Sequence, residues 1–278
     1  MKAAEILGVD DVRFIEPDFA ALTDTWYNVA LAATRSDEGR LLLDEHEDPV
    51  ALAFHGPDGW VTASFLCRNP SVALIDLFES VNGEIFQEDR AVWAASVREY
   101  FSTAMVSHVP PSMDDLNPKR YGILKNFITG IWGTGNNETC IDCCCGSGVG
   151  SLVLRDLGFI PLSYDNDESL LCRGLIEKRL RPEETMWIDA TIASRYIEPV
   201  PKGVAIMAGE FNSFNEEMWE RIVGELCSVT KESLITVGTE KEAMQVKDWL
   251  NEMDRSVIVK ENPADPLYDR WVCQVMVK

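Results

Sequence analysis

The sequence predicts an α/β protein with a doubly wound, seven-stranded, mostly parallel sheet whose last strand is antiparallel, plus a mainly helical N-terminal region. Two observations predict this class. From residue 139 onward, apolar runs typical of strands alternate with helical stretches of about 10–15 residues, a pattern that indicates parallel strands with helices on both faces. Before residue 110, the apolar residues recur at helical spacing and no such alternation is seen.

Residues 1–110 are expected to form the N-terminal part, which would serve as a lid or substrate-binding region. Apolar residues repeat on one helical face in two stretches of it, 17–34 and 88–105, and Asn69-Pro70 is compatible with the start of another helix that runs through Phe78. Residues 50–66 are ambiguous, and a short hairpin around Gly56-Pro57-Asp58-Gly59 is compatible with them. The run Val109-Pro110-Pro111-Ser112 predicts a break before the second domain.

Residues 111–278 form the second predicted domain. Asn117-Pro118 predicts the start of a helix that runs to about Trp132, because asparagine caps helices and proline suits their first turn. The predicted strands are 139–145, 159–164, 185–188, 203–208, 233–238, 256–260 and 271–277. The predicted helices between them are 148–157, 168–180, 215–229 and 240–253. Only residues 261–270 join the last two strands, which is too short for a helical crossover, so we expect a reversed strand at the sheet edge.

The charge of the chain narrows the classes of function. It has 278 residues, with 46 acidic against 25 basic side chains and a net charge of −21. An acidic surface repels phosphate backbones and anionic lipids, so we expect neither a nucleic acid nor a membrane as partner. No apolar run approaches the roughly 18 residues of a membrane span, and the N-terminal residues do not resemble a signal peptide. Composition leaves the oligomeric state open.

The eight cysteines, without any mark of secretion, predict reduced thiols in a cytoplasmic protein. Four of them fall within six residues: Cys140, Cys143, Cys144 and Cys145. Because neighbouring side chains of a strand point to opposite faces, Cys144 is expected to point away from Cys143 and Cys145, and no metal site is predicted. The three histidines lack the spacing of metal ligands and receive no role: His46, His55 and His108.

The strongest motif is the glycine-rich stretch 141–150, which links a predicted strand to a predicted helix. Glycine lets the chain turn sharply and lets a ligand approach the main chain. The next strand ends at Asp165, 19 residues after Gly146, where an acid can accept both hydroxyls of a ribose. A dinucleotide fingerprint would place its third glycine at Ser151, whereas this glycine comes one residue earlier, at Gly150, which disfavours NAD.

The run from Asp142 to Gly148 resembles the first motif of class I S-adenosylmethionine-dependent methyltransferases, acid-x-Gly-x-Gly-x-Gly. Asp142 fits the acid, and Gly146 and Gly148 fit the second and third glycines. Cys144 occupies the place of the first glycine, which implies a tighter pocket wall beside the amino-acid end of the cofactor. The resemblance covers about residues 112–278, and it implies a Rossmann-like fold with S-adenosyl-L-methionine as cofactor.

Two further strand ends resemble later motifs of this family. Residues 164–167 resemble the second motif, which implies that Asp165 holds the ribose and that Asn166 lies beside the cofactor. Residues 186–190 resemble the third motif. Asp189 would then reach the adenine amino group, and the Ala190 amide would meet the ring.

Helices that precede the first strand often cover the cofactor in this family. The segment 117–121 therefore implies Lys119 and Tyr121 as cofactor-binding residues, since a cation there could pair with the cofactor carboxylate. Glu210 falls after the fourth strand, beside the expected position of the sulfonium. The resemblance implies a catalytic role for it, which is to remove a proton, to stabilise the cationic centre or to position the acceptor.

The resemblance implies methyl transfer to a small molecule or a protein side chain. Residues 209–212 do not match the Asn/Asp-Pro-Pro-Tyr pattern of enzymes that methylate base or glutamine amines, which again disfavours a nucleic acid. Three alternatives stay open. They are an enzyme that transfers an aminobutyl- or aminopropyl-type group from the same cofactor or its decarboxylated form, a non-catalytic binding module, and an NAD-dependent enzyme.

Overall fold

The computed structural model describes residues 2–114 and 116–278. The chain divides into two compact units, one ending at Ala104 and the other beginning at Met105. Within the described ranges, no helix combines the length and the apolar character needed to cross a bilayer.

The first unit is built around a five-stranded sheet in the order β1-β4-β3-β2-β5. Its strands are β1 Arg13–Phe14, β2 Glu38–Leu43, β3 Pro49–Gly56, β4 Gly59–Ser64 and β5 Glu84–Gln87. Its helices are α1 Lys2–Ile6, α2 Trp26–Ala32, α3 Val72–Ser80 and most of α4 Arg90–His108, whose last four residues belong to the second unit, with a 3-10 turn at Ala20–Thr23. The expectation of a mainly helical region is therefore corrected, because the helices accompany a sheet that the sequence reading missed.

The missed sheet has a physical explanation in its central strand. Residues 50–54 of β3 are all buried, so the strand is covered on both faces and shows no alternation of polar and apolar residues. The expected hairpin is present, because β3 and β4 pair antiparallel and Gly59 takes a φ of 98° in the turn between them. Leu52 and Phe54 of β3 pack in one cluster with Leu31 of α2 and Leu74 of α3.

The second unit holds a seven-stranded sheet in the order β11-β12-β10-β9-β6-β7-β8. Its strands are β6 Thr139–Cys143, β7 Ile160–Asp165, β8 Thr185–Trp187, β9 Val200–Ala205, β10 Thr230–Val237, β11 Arg255–Glu261 and β12 Trp271–Val277. Its helices are α5 Pro118–Trp132, α6 Val149–Asp156, α7 Glu168–Ile176, α8 Glu216–Ser228 and α9 Glu240–Glu252, with 3-10 turns at Pro182–Glu184 and Ala190–Arg195.

This sheet confirms the predicted fold class. Strands β6, β7, β8, β9 and β10 pair in parallel, and β12 pairs antiparallel with both β10 and β11. The reversed strand was expected at the edge, but β12 lies between β10 and β11. The connection from β11 to β12, residues 262–270, is short enough to return the chain only beside the strand it leaves, and β12 fills the place next to β10. From β6 the chain winds first toward β7 and later toward β9, so the switch point lies at the carboxyl ends of β6 and β9, where ligands of such sheets bind.

Helix α5 begins as the sequence predicts. The Lys119 N–H donates to Asn117 Oδ1 at 3.0 Å, and Pro118 fills the first turn. Leu124 and Ile128 of this helix are buried against the core of the second unit. This packing fixes the start of α5 relative to the sheet.

Two glycines, one in α7 and one in α5, allow a matched test of how closely these helices approach their neighbours. A Cβ on Gly174 of α7 would lie 2.6 Å from Leu180 Cδ1 and 2.8 Å from the Ser147 carbonyl oxygen, whereas a Cβ on Gly122 of α5 would meet nothing within 4 Å. We expect Gly174→Ala to lower the free energy of unfolding by about 1–3 kcal/mol. Gly122→Ala should raise it by up to about 1 kcal/mol. Urea unfolding measures both. A gain in stability from Gly174→Ala would contradict the close approach of α7 to Ser147, in the segment between β6 and α6.

Candidate functional site

The loop between β6 and α6 turns through three residues in the left-handed region. Their φ values are 52° at Cys144, 53° at Gly146 and 84° at Gly148. Glycine adopts this region without strain, while a residue with a side chain is disfavoured there by roughly 1 kcal/mol or more. A Cβ on Gly146 would meet nothing within 4 Å, so the space in front of this residue is open. The loop can therefore admit a ligand against its main chain at Gly146.

Asp165, the last residue of β7, is tied to this loop. Its Oδ2 accepts the Gly146 N–H at 2.8 Å and its Oδ1 accepts the Asp167 N–H at 2.9 Å. Burial raises the pKa of Asp165 above the ordinary value, because desolvation disfavours its charged form, and the two N–H groups oppose this effect. Each carboxylate oxygen keeps a further lone pair, so Asp165 can accept two additional hydroxyl donors such as those of a ribose.

Asp142 lies beneath the loop and is almost completely buried. Its Oδ2 accepts the Ser151 hydroxyl at 2.5 Å, and a Cβ on Gly150 would lie only 2.8 Å from either carboxylate oxygen. Burial raises the pKa of Asp142 to about 6; hydrogen bonds from Ser151 and the charge of Arg120 act in the opposite direction. The contacts show Asp142 fastening the first turn of α6, and they explain why position 150 is a glycine.

The carboxyl end of β8 supplies the remaining predicted residues. Trp187 donates its indole N–H to the Asn166 carbonyl oxygen at 3.0 Å, which joins the ends of β7 and β8. Asp189 is exposed, and its Oδ1 accepts the N–H and the hydroxyl of Thr191, each at 2.8 Å. Ala190 is buried directly behind it. The structure thus brings Asn166, Asp189 and Ala190 to the same sheet edge as Asp165.

Arg120 is the charged residue that sequence reasoning missed. It donates to Asp269 Oδ2 at 3.3 Å and to the Met207 sulfur at 3.2 Å. Asp269 is fully buried, and its Oδ1 accepts the Thr236 hydroxyl at 2.6 Å. Burial raises the pKa of Asp269, while the Arg120 charge lowers it. Thr236 Oγ1 in turn accepts the Met207 N–H at 2.7 Å, which closes a ring of contacts at the ends of β9 and β10.

The two neighbours of Arg120 are placed differently. Lys119 is exposed at the start of α5. The Tyr121 hydroxyl donates to Asp156, the last residue of α6, and accepts from Lys125 Nζ at 3.0 Å. Because α6 begins at the glycine loop, Tyr121 meets the opposite end of that helix. The structure therefore does not bring the Tyr121 hydroxyl to the loop. The sequence signal that could have pointed to Arg120 is its position in segment 117–121, between Lys119 and Tyr121.

Glu210 lies in the connection from β9 to α8, and its side chain is exposed. The Glu210 carbonyl oxygen accepts the Asn215 amide N–H at 2.9 Å, and the next N–H, that of Phe211, donates to Glu242 at 3.0 Å. These backbone bonds hold the segment at the carboxyl end of β9. The Glu210 carboxylate is then available at the sheet edge that carries the switch point.

The cysteines correct one expectation. Strand β6 ends at Cys143, and Cys144 takes a left-handed φ, so the alternation of a strand does not extend to this pair. The two sulfur atoms lie 3.8 Å apart instead of on opposite faces. Cys145 places its sulfur 3.8 Å from the Gly146 carbonyl oxygen. All eight cysteines are thiols in the structure.

One histidine meets acids that sequence spacing did not link to it. In the first unit, Asp37, Glu38 and His55 each offer a ligand atom within 4.8 Å of the others, because Glu38 and His55 pair across β2 and β3. The two acids are exposed and His55 is partly exposed. The Arg40 guanidinium lies 3.8 Å from Glu38 and would repel a cation. We assign no metal to this cluster.

Comparison with known proteins returns similarities in structure. No protein-family model matches the chain, and a search of curated proteins found no match. Magnesium protoporphyrin IX methyltransferase from Synechocystis, solved with bound S-adenosylmethionine, is similar with a TM-score of 0.45 and 12% identity over 66% of this chain and 96% of that one. TrmN from Thermus thermophilus has a TM-score of 0.47 and 13% identity over 58% and 53% of the respective chains. Ribosomal protein L11 methylase from Lactobacillus delbrueckii has a TM-score of 0.43 and 13% identity over 71% and 88%.

The buried Asp142 makes a testable prediction about pH. Its pKa is raised from 3.8 to about 6, so the native state binds its proton more tightly than the unfolded chain. This contribution stabilises the protein fully below pH 3.8 and is lost as the pH rises through 6, a change of up to about 3 kcal/mol. Asp142→Asn cannot ionise and should lack this part of the pH dependence. The difference in free energy of unfolding, Asp142→Asn minus wild type, should therefore be more positive at pH 8 than at pH 5.

Urea titrations at several pH values measure that difference. Asp167 is a suitable control, because the Ser169 hydroxyl bond and the N–H groups of the helix start lower its pKa. Asp167→Asn should show the opposite trend in the acid range, with a loss of stability that grows as the pH rises toward 3.8 and then stays constant from pH 5 to pH 8. A parallel pH profile for wild type and Asp142→Asn would contradict the role of a buried charge at Asp142.

Proposed function

We propose that this chain is a class I S-adenosylmethionine-dependent methyltransferase. One observation carries the proposal. The left-handed loop leaves open space at Gly146, and Asp165 accepts the N–H of that same residue at the switch point of the sheet. A ligand that carries a ribose can lie on the loop and reach the Asp165 carboxylate in this arrangement. The seven-stranded sheet, mostly parallel with an antiparallel last strand, is of the class that the sequence predicts.

The residues present at the sheet edge fit the parts of S-adenosylmethionine. Asp165 would accept the two ribose hydroxyls, with Asn166 beside it. Asp189 would accept the adenine amino group through its second oxygen, and the Ala190 amide would face the ring. When bound, the cofactor supplies a methyl group activated by its sulfonium.

Arg120 is our candidate for the cofactor carboxylate, in place of Lys119 or Tyr121. Its guanidinium lies at the ends of β9 and β10 and close enough to Asp142 for its charge to lower that pKa. A guanidinium can hold a carboxylate through two parallel hydrogen bonds. This cation favours the complete cofactor over its decarboxylated form, and with it methyl transfer over aminopropyl transfer.

The acceptor is proposed to be a small molecule or a protein side chain. The net charge of −21 supports this choice, since it opposes the approach of a polyanion. Glu210, exposed at the end of β9, would orient the acceptor or take its proton. The chain would otherwise act by aligning the two reactants and excluding water, effects that can supply several kcal/mol of the acceleration. An acceptor screen that includes RNA tests this choice, and methylation of RNA would contradict it.

Asp165→Asn tests the nucleoside part of the proposal. The amide keeps the size of the side chain but accepts through only one oxygen, so the paired bonds to a ribose are lost. We expect S-adenosylhomocysteine to raise the melting temperature of the wild type and to raise that of Asp165→Asn much less. Asp254→Asn, at an exposed ion pair with Lys278, is the control and should respond like the wild type. An equal shift for Asp165→Asn would contradict ribose binding by Asp165.

Removal of Arg120 tests the amino-acid part. Arg120→Met alone would leave Asp269 buried without its partner, so Arg120→Met is combined with Asp269→Asn. We expect S-adenosylhomocysteine to bind this double variant about ten to a hundred times more weakly, as for the loss of a hydrogen bond to a charged group. Methylthioadenosine, which lacks the carboxylate, should bind it unchanged.

Calorimetric titration with both ligands measures the difference, and Lys119→Met is the control for loss of a neighbouring charge. If Lys119→Met weakens the binding of S-adenosylhomocysteine and the double variant does not, Lys119 rather than Arg120 holds the carboxylate.

Product analysis with an identified acceptor shows which group is transferred. S-adenosylhomocysteine indicates methyl transfer, and methylthioadenosine indicates transfer of the larger group.

A further inference from the structure

Two adjacent thiols converge at the start of the glycine loop. Cys143 is fully buried at the end of β6, and Cys144 is partly exposed in the next position. Neighbouring side chains in an extended strand point to opposite faces. Here the left-handed φ of 52° at Cys144 swings its side chain to the same side as that of Cys143, and the sulfur atoms lie 3.8 Å apart. The pair is therefore arranged by the same turn that forms the loop.

We propose that Cys143 and Cys144 form a two-thiol site for trivalent arsenicals and that its occupation blocks the glycine loop. The blocking rests on the proposed function, whereas the binding does not. In the reaction, each sulfur forms a bond to arsenic and releases its proton. The arsenic–oxygen bond of the arsenical breaks, and its oxygen leaves with both protons as water. Arsenic stays trivalent, so neither an oxidant nor a reductant takes part.

The geometry favours this pair over four other thiols of the second unit. The Cys140 sulfur lies 3.7 Å from the Ile141 carbonyl oxygen. Cys145 is directed to the Gly146 carbonyl oxygen. Cys227 contacts the Ser233 hydroxyl at 3.8 Å, and the Cys273 sulfur lies 3.4 Å from the Ala243 carbonyl oxygen. Cys143 and Cys144 instead contact one another. The hydrogen bond from Cys143 and burial raise the pKa of Cys144, so the resting group is the thiol, and its proton is the one that arsenic displaces.

The position of the pair explains the expected consequence. Cys144 stands two residues before Gly146, where the loop is open to a ligand. A covalent bridge between the two sulfurs would fix the Cys144 side chain and add a bulky group beside that space. A cofactor lying on the loop would then be excluded. Arsenicals would thus inhibit the enzyme through this one pair of thiols.

The test treats the 278-residue chain with one equivalent of phenylarsine oxide in the presence of excess glutathione, a monothiol that cannot form a chelate. Intact mass spectrometry should show one phenylarsenic group per chain, attached with loss of one water and released by a dithiol. Cys144→Gly should lose this adduct, and glycine tolerates the left-handed φ, so this variant should fold. Cys143→Ser should lose it as well, while Cys67→Ser should retain it. An equal adduct on Cys144→Gly, or none on the wild type, would overturn the proposal.

A second readout separates this site from the proposed function. In wild type, the arsenical should abolish the thermal shift that S-adenosylhomocysteine causes, and in Cys143→Ser the shift should survive treatment. If the adduct maps to Cys143 and Cys144 but S-adenosylhomocysteine shifts neither treated nor untreated protein, the thiol site stands and the proposed cofactor fails. If the adduct forms and the shift in wild type is unchanged, the binding part stands and the blocking part is overturned.

Discussion

The hydrogen bond from the Gly146 N–H to Asp165 is the contact on which the rest of the candidate site depends. It joins the loop after β6 to the end of β7 through two residues that are 19 positions apart in the chain. The loop can make this bond only because it turns through the left-handed region at Cys144, Gly146 and Gly148. The same turn leaves the open space at Gly146 and brings two thiols together. The candidate binding surface and the thiol pair therefore have one structural cause.

Buried charge is the second constraint on this edge of the sheet. Asp142, Asp165 and Asp269 are all buried, and burial raises the pKa of each. Arg120 pairs directly with Asp269 and also lowers the pKa of Asp142. Since two of these carboxylates, Asp142 and Asp269, lie near the Arg120 guanidinium and Asp165 lies at the same sheet edge, acids outnumber the cation there, and the edge is suited to a ligand that carries positive charge as well as a carboxylate. S-adenosylmethionine has both, in its sulfonium and ammonium groups and its carboxylate.

Much of the second unit could be predicted from sequence, since its signals are local. Proline after Asn117 marks a helix start, and strand–helix alternation marks a parallel sheet. The first unit was harder, because β3 is buried on both faces and shows no alternation. Arg120 was missed for a different reason. Successive residues of a helix point about 100° apart, and sequence alone does not say whether position 119, 120 or 121 faces the sheet. The convergence of Cys143 and Cys144 likewise depends on a single backbone angle.

Calorimetric titration of the wild-type protein with S-adenosylhomocysteine, with NAD in a parallel experiment, tests the central claim most directly. The account predicts one S-adenosylhomocysteine site per chain and no heat of binding from NAD. A site for NAD, or no site for either ligand, would contradict it. The first of these results would indicate a dinucleotide-binding sheet, and the second would indicate a fold that serves to bind a partner protein.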